Sequence, residues 1–427
     1  MEIKKHQISL SRTFIGLTSF QMLAMFRRGL FYTYLSIYLR FYLNLSVTET
    51  TLYATLPMIM SVIFQNLVWG PLSDKFQRRR TLIIMGEVLA GIGTISVWFI
   101  HSSIADLFIA GYVIIIGLAC VEIFWSMSNI GWSALLSDIY PFKDRSRIMG
   151  NLTSLGGVGR IIGISIGGLL YDNGLGFRNG PLFFIASFVM FISTIPMLFT
   201  PEGGINPIEK LEIVSNNNNQ NSEKNTTIFI VFIIALIFIN FGRNSIATTY
   251  SQFLTLESGL AVDSILLSFI ANTRSIANIM IGFFAGLLSK KLGHAIALIL
   301  GTFIGILAII ITAVSMYLPL IFTGSFLIGI ADVLIMASSY AIASALMPPK
   351  KRAKLFAVYN TTFFLSWGLA CTIISGPLID FLISEGREEV FAYQVSFFAG
   401  VFICSIGLII FIFLKIYMNR IKHKHHN

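Results

Sequence analysis

Charge is what this chain has least of. Asp, Glu, Lys and Arg together make up 12% of its 427 residues, about half the roughly 25% usual in soluble proteins, while apolar residues reach 55%. A soluble fold of this length cannot cover so much apolar surface, which excludes a chain of two or three soluble domains. Cysteine is nearly absent too. Cys120, Cys371 and Cys404 lie in apolar stretches with no metal or redox spacing between them, and read as small core residues. No nucleotide-binding loop, nucleophile-and-base set or metal-ligand cluster occurs, so neither an enzyme nor a resident cofactor is expected, nor transport driven by hydrolysis within the chain. The polar, basic stretch Met1 to Arg12 is followed by no small-residue cleavage site, so a secreted product is not expected either.

What is present is length of apolar run. A hydrocarbon core of about 30 Å needs about 20 helical residues, and stretches such as Thr81 to Ile100 and Thr227 to Asn240 supply them. Twelve spans are predicted. The first six are 13–39, 48–71, 80–100, 106–138, 148–171 and 180–200; the second six are 227–254, 263–288, 294–315, 318–346, 353–382 and 390–416. The polar run Asn216-Asn217-Asn218-Asn219-Gln220-Asn221 lies between them, with no apolar period. The expected architecture is an all-α membrane protein of two pseudo-symmetric six-helix bundles. Residues 1–200 form the first bundle, 201–226 a cytoplasmic linker and 227–427 the second bundle.

A net charge of +10 would suit nucleic acid if it were clustered on a soluble face, but here the basic residues gather at span ends. Assigning loops alternately to two sides puts 21 Lys and Arg on one side, against Arg40, Arg178 and Arg387 on the other. Basic loops stay inside, so the chain is expected in the cell membrane, multi-pass, with both termini cytoplasmic and no nucleic-acid partner. The tail His423 to His426 is then a solvated end rather than a metal site.

The two sets of spans also repeat. Gly70-Pro71-Leu72-Ser73-Asp74-Lys75-Phe76 follows the second span and Gly286-Leu287-Leu288-Ser289-Lys290-Lys291-Leu292 the eighth. Gly168-Leu169-Leu170-Tyr171-Asp172 closes the fifth and Gly376-Pro377-Leu378-Ile379-Asp380 the eleventh, while Arg28 to Leu39 pairs with Arg243 to Leu254. Each match joins a span to the one six places later, the pattern of a duplicated unit of the kind alternating-access carriers use.

Gly70 to Phe76, continued by Gln77-Arg78-Arg79-Arg80, resembles the loop between helices two and three of the major facilitator superfamily, which reads Gly-x-Leu-x-Asp-x-x-Gly-Arg-Arg. Gln77 stands where that family has glycine. With twelve spans and a central linker, the resemblance covers nearly the whole chain. It implies a conformational latch of Gly70, Asp74, Arg78 and Arg79, with Asp74 helping to hold the outward-facing state. Two further patterns depart from proton-linked exporters of the family. Ile115, Ile116 and Gly117 stand where the fourth span often carries arginine. The fifth span has Gly156, Gly159, Gly163 and Gly167 at helical spacing, which permits close packing, but no proline among them.

Charges within spans are costly and mark sites by default. Arg28, Glu122, Arg243 and Asp332 each lie 14 to 16 residues into spans one, four, seven and ten, which the resemblance implies line the cavity. Arginine offers a planar fork suited to carboxylate or phosphate, and Arg28 and Arg243 match across the repeat, like the arginine pair of organophosphate–phosphate antiporters. Glu122 and Asp332, partly out of water, are suited to carrying a proton. Structural ion pairs Arg28–Glu122 and Arg243–Asp332 are the plainer alternative. Arg27 is expected to point about 100° away from Arg28, Arg160 and Arg274 to pair or edge the cavity, and Glu87 to belong with the cytoplasmic latch. Companions for substrate binding are Gln21, Tyr32, Trp125, Asn129, Asn240, Tyr250 and Asn360, with Tyr340 and Trp367 nearby.

These features point to a secondary transporter that moves a small-molecule organic substrate through the lipid bilayer by alternating access, coupled to protons, acting as a monomer and exporting as an antiporter. An exchanger of organic anions or phosphate esters is the alternative. A non-transporting sensor would be expected to carry a sizeable cytoplasmic domain, for which 201–226 and the tails leave little room.

Overall fold

An apolar run in an apolar medium must satisfy its own backbone, and the helix does this within one segment. The computed structural model describes residues 2–140, 142–204, 222–347 and 352–424, and is helical almost throughout with no strand among them. In chain order the long helices are α1 Glu2–Ile37, α2 Val47–Phe64, α3 Arg79–Ser103, α4 Leu107–Ile139, α5 Phe142–Tyr171 and α6 Pro181–Met197. They continue as α7 Ser222–Asn244, α8 Ser264–Leu292, α9 His294–Val314, α10 Leu318–Leu346, α11 Arg352–Ala370 and α12 Glu389–Lys424. π turns at Gln65–Trp69 and Cys371–Ser375 extend α2 and α11 into the short helices Gly70–Phe76 and Gly376–Ser384. Among the described residues ten helices are long and apolar enough to cross a membrane. With α1 and the shorter α6 they follow the twelve expected spans in order. Phe283, Phe402 and Phe413 are 60%, 67% and 67% exposed, as apolar side chains facing lipid would be. The chain is a multi-pass membrane protein. The middle of the expected linker, 205–221, lies outside the described residues, as do Lys350 and the last three residues of the tail.

One span is not continuous. The sequence predicts helix over 227–254, but α7 stops at Asn244 and helix resumes only at Thr249–Thr255. A break inside a membrane needs partners for the freed carbonyls. Cys371 Sγ donates to Asn244 O and Ser245 O at 3.2 and 3.0 Å, and Ser375 Oγ donates to Ser245 O at 2.6 Å. Cys371 is therefore a buried donor and Cys404 is buried as expected, whereas Cys120 is exposed on α4.

The helices group into two compact units. The first comprises Met1–Leu45, Leu56–Ser215 and Val262–Ser275; the second comprises Ser46–Thr55, Asn216–Ala261 and Ile276–Asn427. Each six-span set thus gives the start of its second helix to the other unit. Within the first unit α1 lies directly on α5, and the glycine series makes this possible. A Cβ at Gly159 would overlap the carbonyl oxygen of Met22, and one at Gly163 that of Phe26. Within the second unit the start of α2 is held by the repeated glycine–aspartate element. Asp380 accepts from the N–H groups of Val47 and Thr48 at 2.9 and 2.7 Å, satisfying two orphan donors of a helix N-terminus. Thr372 Oγ1 meets Thr51 and Thr55 Oγ1 at 2.7 and 2.6 Å. In the first unit Ser264 Oγ donates to Gly168 O at 2.8 Å. Asp172, the counterpart of Asp380, instead turns the chain with a φ of 42°.

Candidate functional site

In the first unit α1 brings two arginines to one indole. Cζ of Arg27 lies 4.1 Å and Cζ of Arg28 4.5 Å from the centre of the Trp125 ring on α4. The electron-rich ring face attracts each cation by about 0.5–2 kcal/mol. The ring is fixed from its edge, since Trp125 Nε1 donates to Glu87 Oε1 of α3 at 3.0 Å and Ser128 Oγ donates to the same oxygen at 2.8 Å. Glu122, three residues before Trp125, is 3% exposed and its Oε1 has no hydrogen-bond partner; Arg27 is 2% exposed and its Nη2 likewise has none. Ser61 is the hydroxyl beside Glu122 and accepts from Gln65 Nε2 at 2.8 Å. Tyr32 sits in the field of Arg27, Arg28 and Glu122. Two arginines and two glutamates balance formally, yet among the described residues no ion pair joins them. The Arg28–Glu122 pair offered as the plainer alternative does not form.

The second unit is arranged differently. Arg243 Nη1 pairs with Asp332 Oδ1, and Arg243 Nε donates to Asn240 Oδ1 at 3.0 Å. Asn240 Nδ2 passes the chain on to Thr362 Oγ1 at 3.2 Å. Arg243 occupies the last turn of α7, where exposed carbonyls favour a cation, and its Cζ lies 5.7 Å from the Phe363 ring centre. The pair is mostly buried, at 11% and 20% side-chain exposure. The two charges of this cluster offset each other.

Other expected residues scatter. Gln21 lies against Gly156 of α5, Asn129 and Tyr250 are half-buried, and Asn360 and Tyr340 are exposed. Arg160 and Arg274 both have polar or electrostatic partners. Two placements differ from expectation. Arg27 does not point away but shares Trp125 with Arg28, since long flexible stems let neighbouring guanidiniums converge on one ring. Glu87 belongs to this cluster rather than to the latch, because α3 runs inward from Arg80 by about 1.5 Å per residue. The signal was available: Trp125 and Ser128 are one turn apart and present two donors to one neighbour.

In the loop that resembles the family signature, Arg79 is the buried member at 3% side-chain exposure. Its Nε donates to Asp138 at 3.2 Å, its Nη2 to Asp74 at 3.3 Å and its Nη1 to Ser73 Oγ. Asp74 is 82% exposed and Arg78 is exposed. Gly70 leads the short helix that Gln77 ends at φ 53°. This left-handed turn explains why a glycine suits that position, so Gln77→Gly should raise stability by about 1 kcal/mol. Thermal unfolding in detergent checks this; a lower midpoint would mean the contacts of the Gln77 side chain outweigh the backbone strain.

The sequence profile described as Major Facilitator Superfamily matches residues 17–239 and 232–426. No curated protein matches the chain. Among solved structures, a bacterial homolog of the human lysosomal transporter Spinster, inward-facing and unoccupied, superposes with a TM-score of 0.69 at 17% identity, covering 95% of this chain and 97% of that one. The nucleoside transporter NupG gives 0.67 at 14% identity, covering 94% and 98%. A POT family transporter gives 0.62 at 15% identity, covering 96% of each. With twelve long helices among the described residues, a duplicated plan and a profile match along nearly its whole length, the chain belongs to the major facilitator superfamily and is a transporter of the secondary type.

Proposed function

We propose that this protein is a proton-coupled carrier of a small organic solute, set in the cell membrane with both ends in the cytoplasm, and that Glu122 takes the proton. The observation that supports this is the buried Oε1 of Glu122, which has no hydrogen-bond partner beside Arg27 and Arg28. A buried carboxylate oxygen without a hydrogen-bond partner is costly when the group is ionised, so Glu122 is suited to receiving a proton or a ligand. Asp332 is the weaker candidate, because Arg243 already holds it. The basic asymmetry of 21 to 3 supports the orientation, and Asp74, exposed at the end of the Arg79 network, keeps its proposed role as a latch.

The test is uptake into proteoliposomes under an imposed pH gradient, with anions, sugars and cationic drugs as solutes. The parent should accumulate one class against its gradient. Glu122→Gln should abolish accumulation while sparing exchange of solute for solute. Accumulation that survives in Glu122→Gln would send the proton elsewhere.

A further inference from the structure

We infer that the Arg27–Arg28–Trp125 cluster binds a carboxylate monoanion together with one proton on Glu122, so that anion and proton move in the same direction. The inference rests on the proton-coupled carriage proposed above and adds the substrate class and the sense of coupling. It comes from a count of charges and donors. Arg27 and Arg28 from α1 meet Glu122 from α4 and Glu87 from α3, with Tyr32 of α1 as the remaining titratable neighbour and Ser61 and Gln65 of α2 as neutral ones. With both acids ionised the cluster sums to zero, so an arriving anion would leave a buried negative charge uncompensated. A proton on Glu122 removes one negative charge and exposes one guanidinium charge to the anion.

Only one of the two acids is placed to do this. Glu87 Oε1 accepts from both Trp125 and Ser128, and these donors compensate a charged carboxylate. Glu122 Oε1 accepts nothing, and Arg27 Nη2 donates to nothing. One proton therefore matches one negative charge, which selects a monocarboxylate over a phosphate ester carrying two. The unused Nη2 supplies a donor. Because proton and anion each raise the affinity for the other, linkage requires the effect to be reciprocal. An inward proton gradient would then accumulate the solute rather than expel it, opposite to the export expected from sequence.

The test is calorimetry on the purified full chain. The ligands are acetate, lactate, benzoate and indole-3-acetate, the amides of the same acids, and phenyl phosphate. Buffers of different ionisation heat report protons taken up per ligand bound. At least one acid should bind with close to one proton and tighten by about tenfold per pH unit of acidification over the range of uptake. Its amide and phenyl phosphate should bind at least about tenfold more weakly. Glu122→Gln should bind the acid without proton uptake and without pH dependence; if that variant does not fold, the heats of the parent decide alone. Acid bound with no proton uptake, amides bound as well as acids, phenyl phosphate preferred, or no acid bound would each overturn the inference. A parent that concentrates a neutral solute through Glu122 would lose this inference while keeping proton coupling.

Discussion

Asp332→Ala is expected to be among the most damaging single changes in the second unit, lowering stability by about 3 kcal/mol. Removing one member of a buried pair leaves the other charged and uncompensated, which costs about 3–5 kcal/mol when burial is complete. The residual exposure of Arg243 and Asp332, 11% and 20%, places the effect toward the lower end. Asn240 would still accept from Arg243 Nε, but it carries no charge to offset. The second half of the expectation is a rescue. Arg243→Met together with Asp332→Ala should recover most of the loss, because removing both charges removes the desolvation penalty with them. Unfolding midpoints of the four chains in one detergent, at one heating rate, give the comparison. A single substitution that leaves the midpoint unmoved, or a double one worse than either single, would show that the pair does not govern the packing of α7 on α10.

Gly163→Leu is expected to be worse still for the first unit. A Cβ at that position overlaps the carbonyl oxygen of Phe26, and a carbonyl within a helix cannot swing aside as a side chain can. α1 and α5 would have to separate along the contact, carrying Arg27 and Arg28 off Trp125. We expect a loss of about 4 kcal/mol or more, or no folded protein. Gly156→Ala is the control. Its added methyl meets only side-chain atoms of Met25 and Gln21, at 3.0 to 3.3 Å, and both can adjust, so the loss should stay under about 1 kcal/mol. Similar yields of monodisperse protein for Gly163→Leu and Gly156→Ala would refute the claim that backbone contact sets the position of α1.

Much of this was legible in the sequence, and what was not is instructive. Apolar blocks separated by charged loops placed the twelve helices, because length and hydropathy decide that question locally. The glycine spacing in α5 foretold a close approach, and matching depths brought Arg243 and Asp332 to one level. The same depth argument brought Arg28 and Glu122 into one cluster but not into an ion pair, because it ignored Arg27 and the indole that both arginines share. Glu87 was set with the wrong group because distance along the chain from Arg80 stood in for distance in space. The break after Asn244 carries no proline or glycine of its own at 245–248, and is held by Cys371 and Ser375 from the end of α11, which no local pattern reports. Asp380 and Asp172 match as sequence and differ as structure, since only one of them meets a helix N-terminus.

The exchange of helix starts has a consequence for synthesis. The first unit includes Val262–Ser275, so it cannot be completed when its own six helices have left the ribosome. About sixty further residues separate Ser215 from Ser275, roughly 3–12 s of translation at common rates, and during that interval Gly168 lacks the hydroxyl of Ser264. The second unit faces the reverse order. Its segment Ser46–Thr55 is made early, and its partners Thr372 and Asp380 emerge some three hundred residues later. Assembly in the membrane is therefore a matter of timing as much as of packing, with contacts of the first-made helices completed only when the last ones arrive.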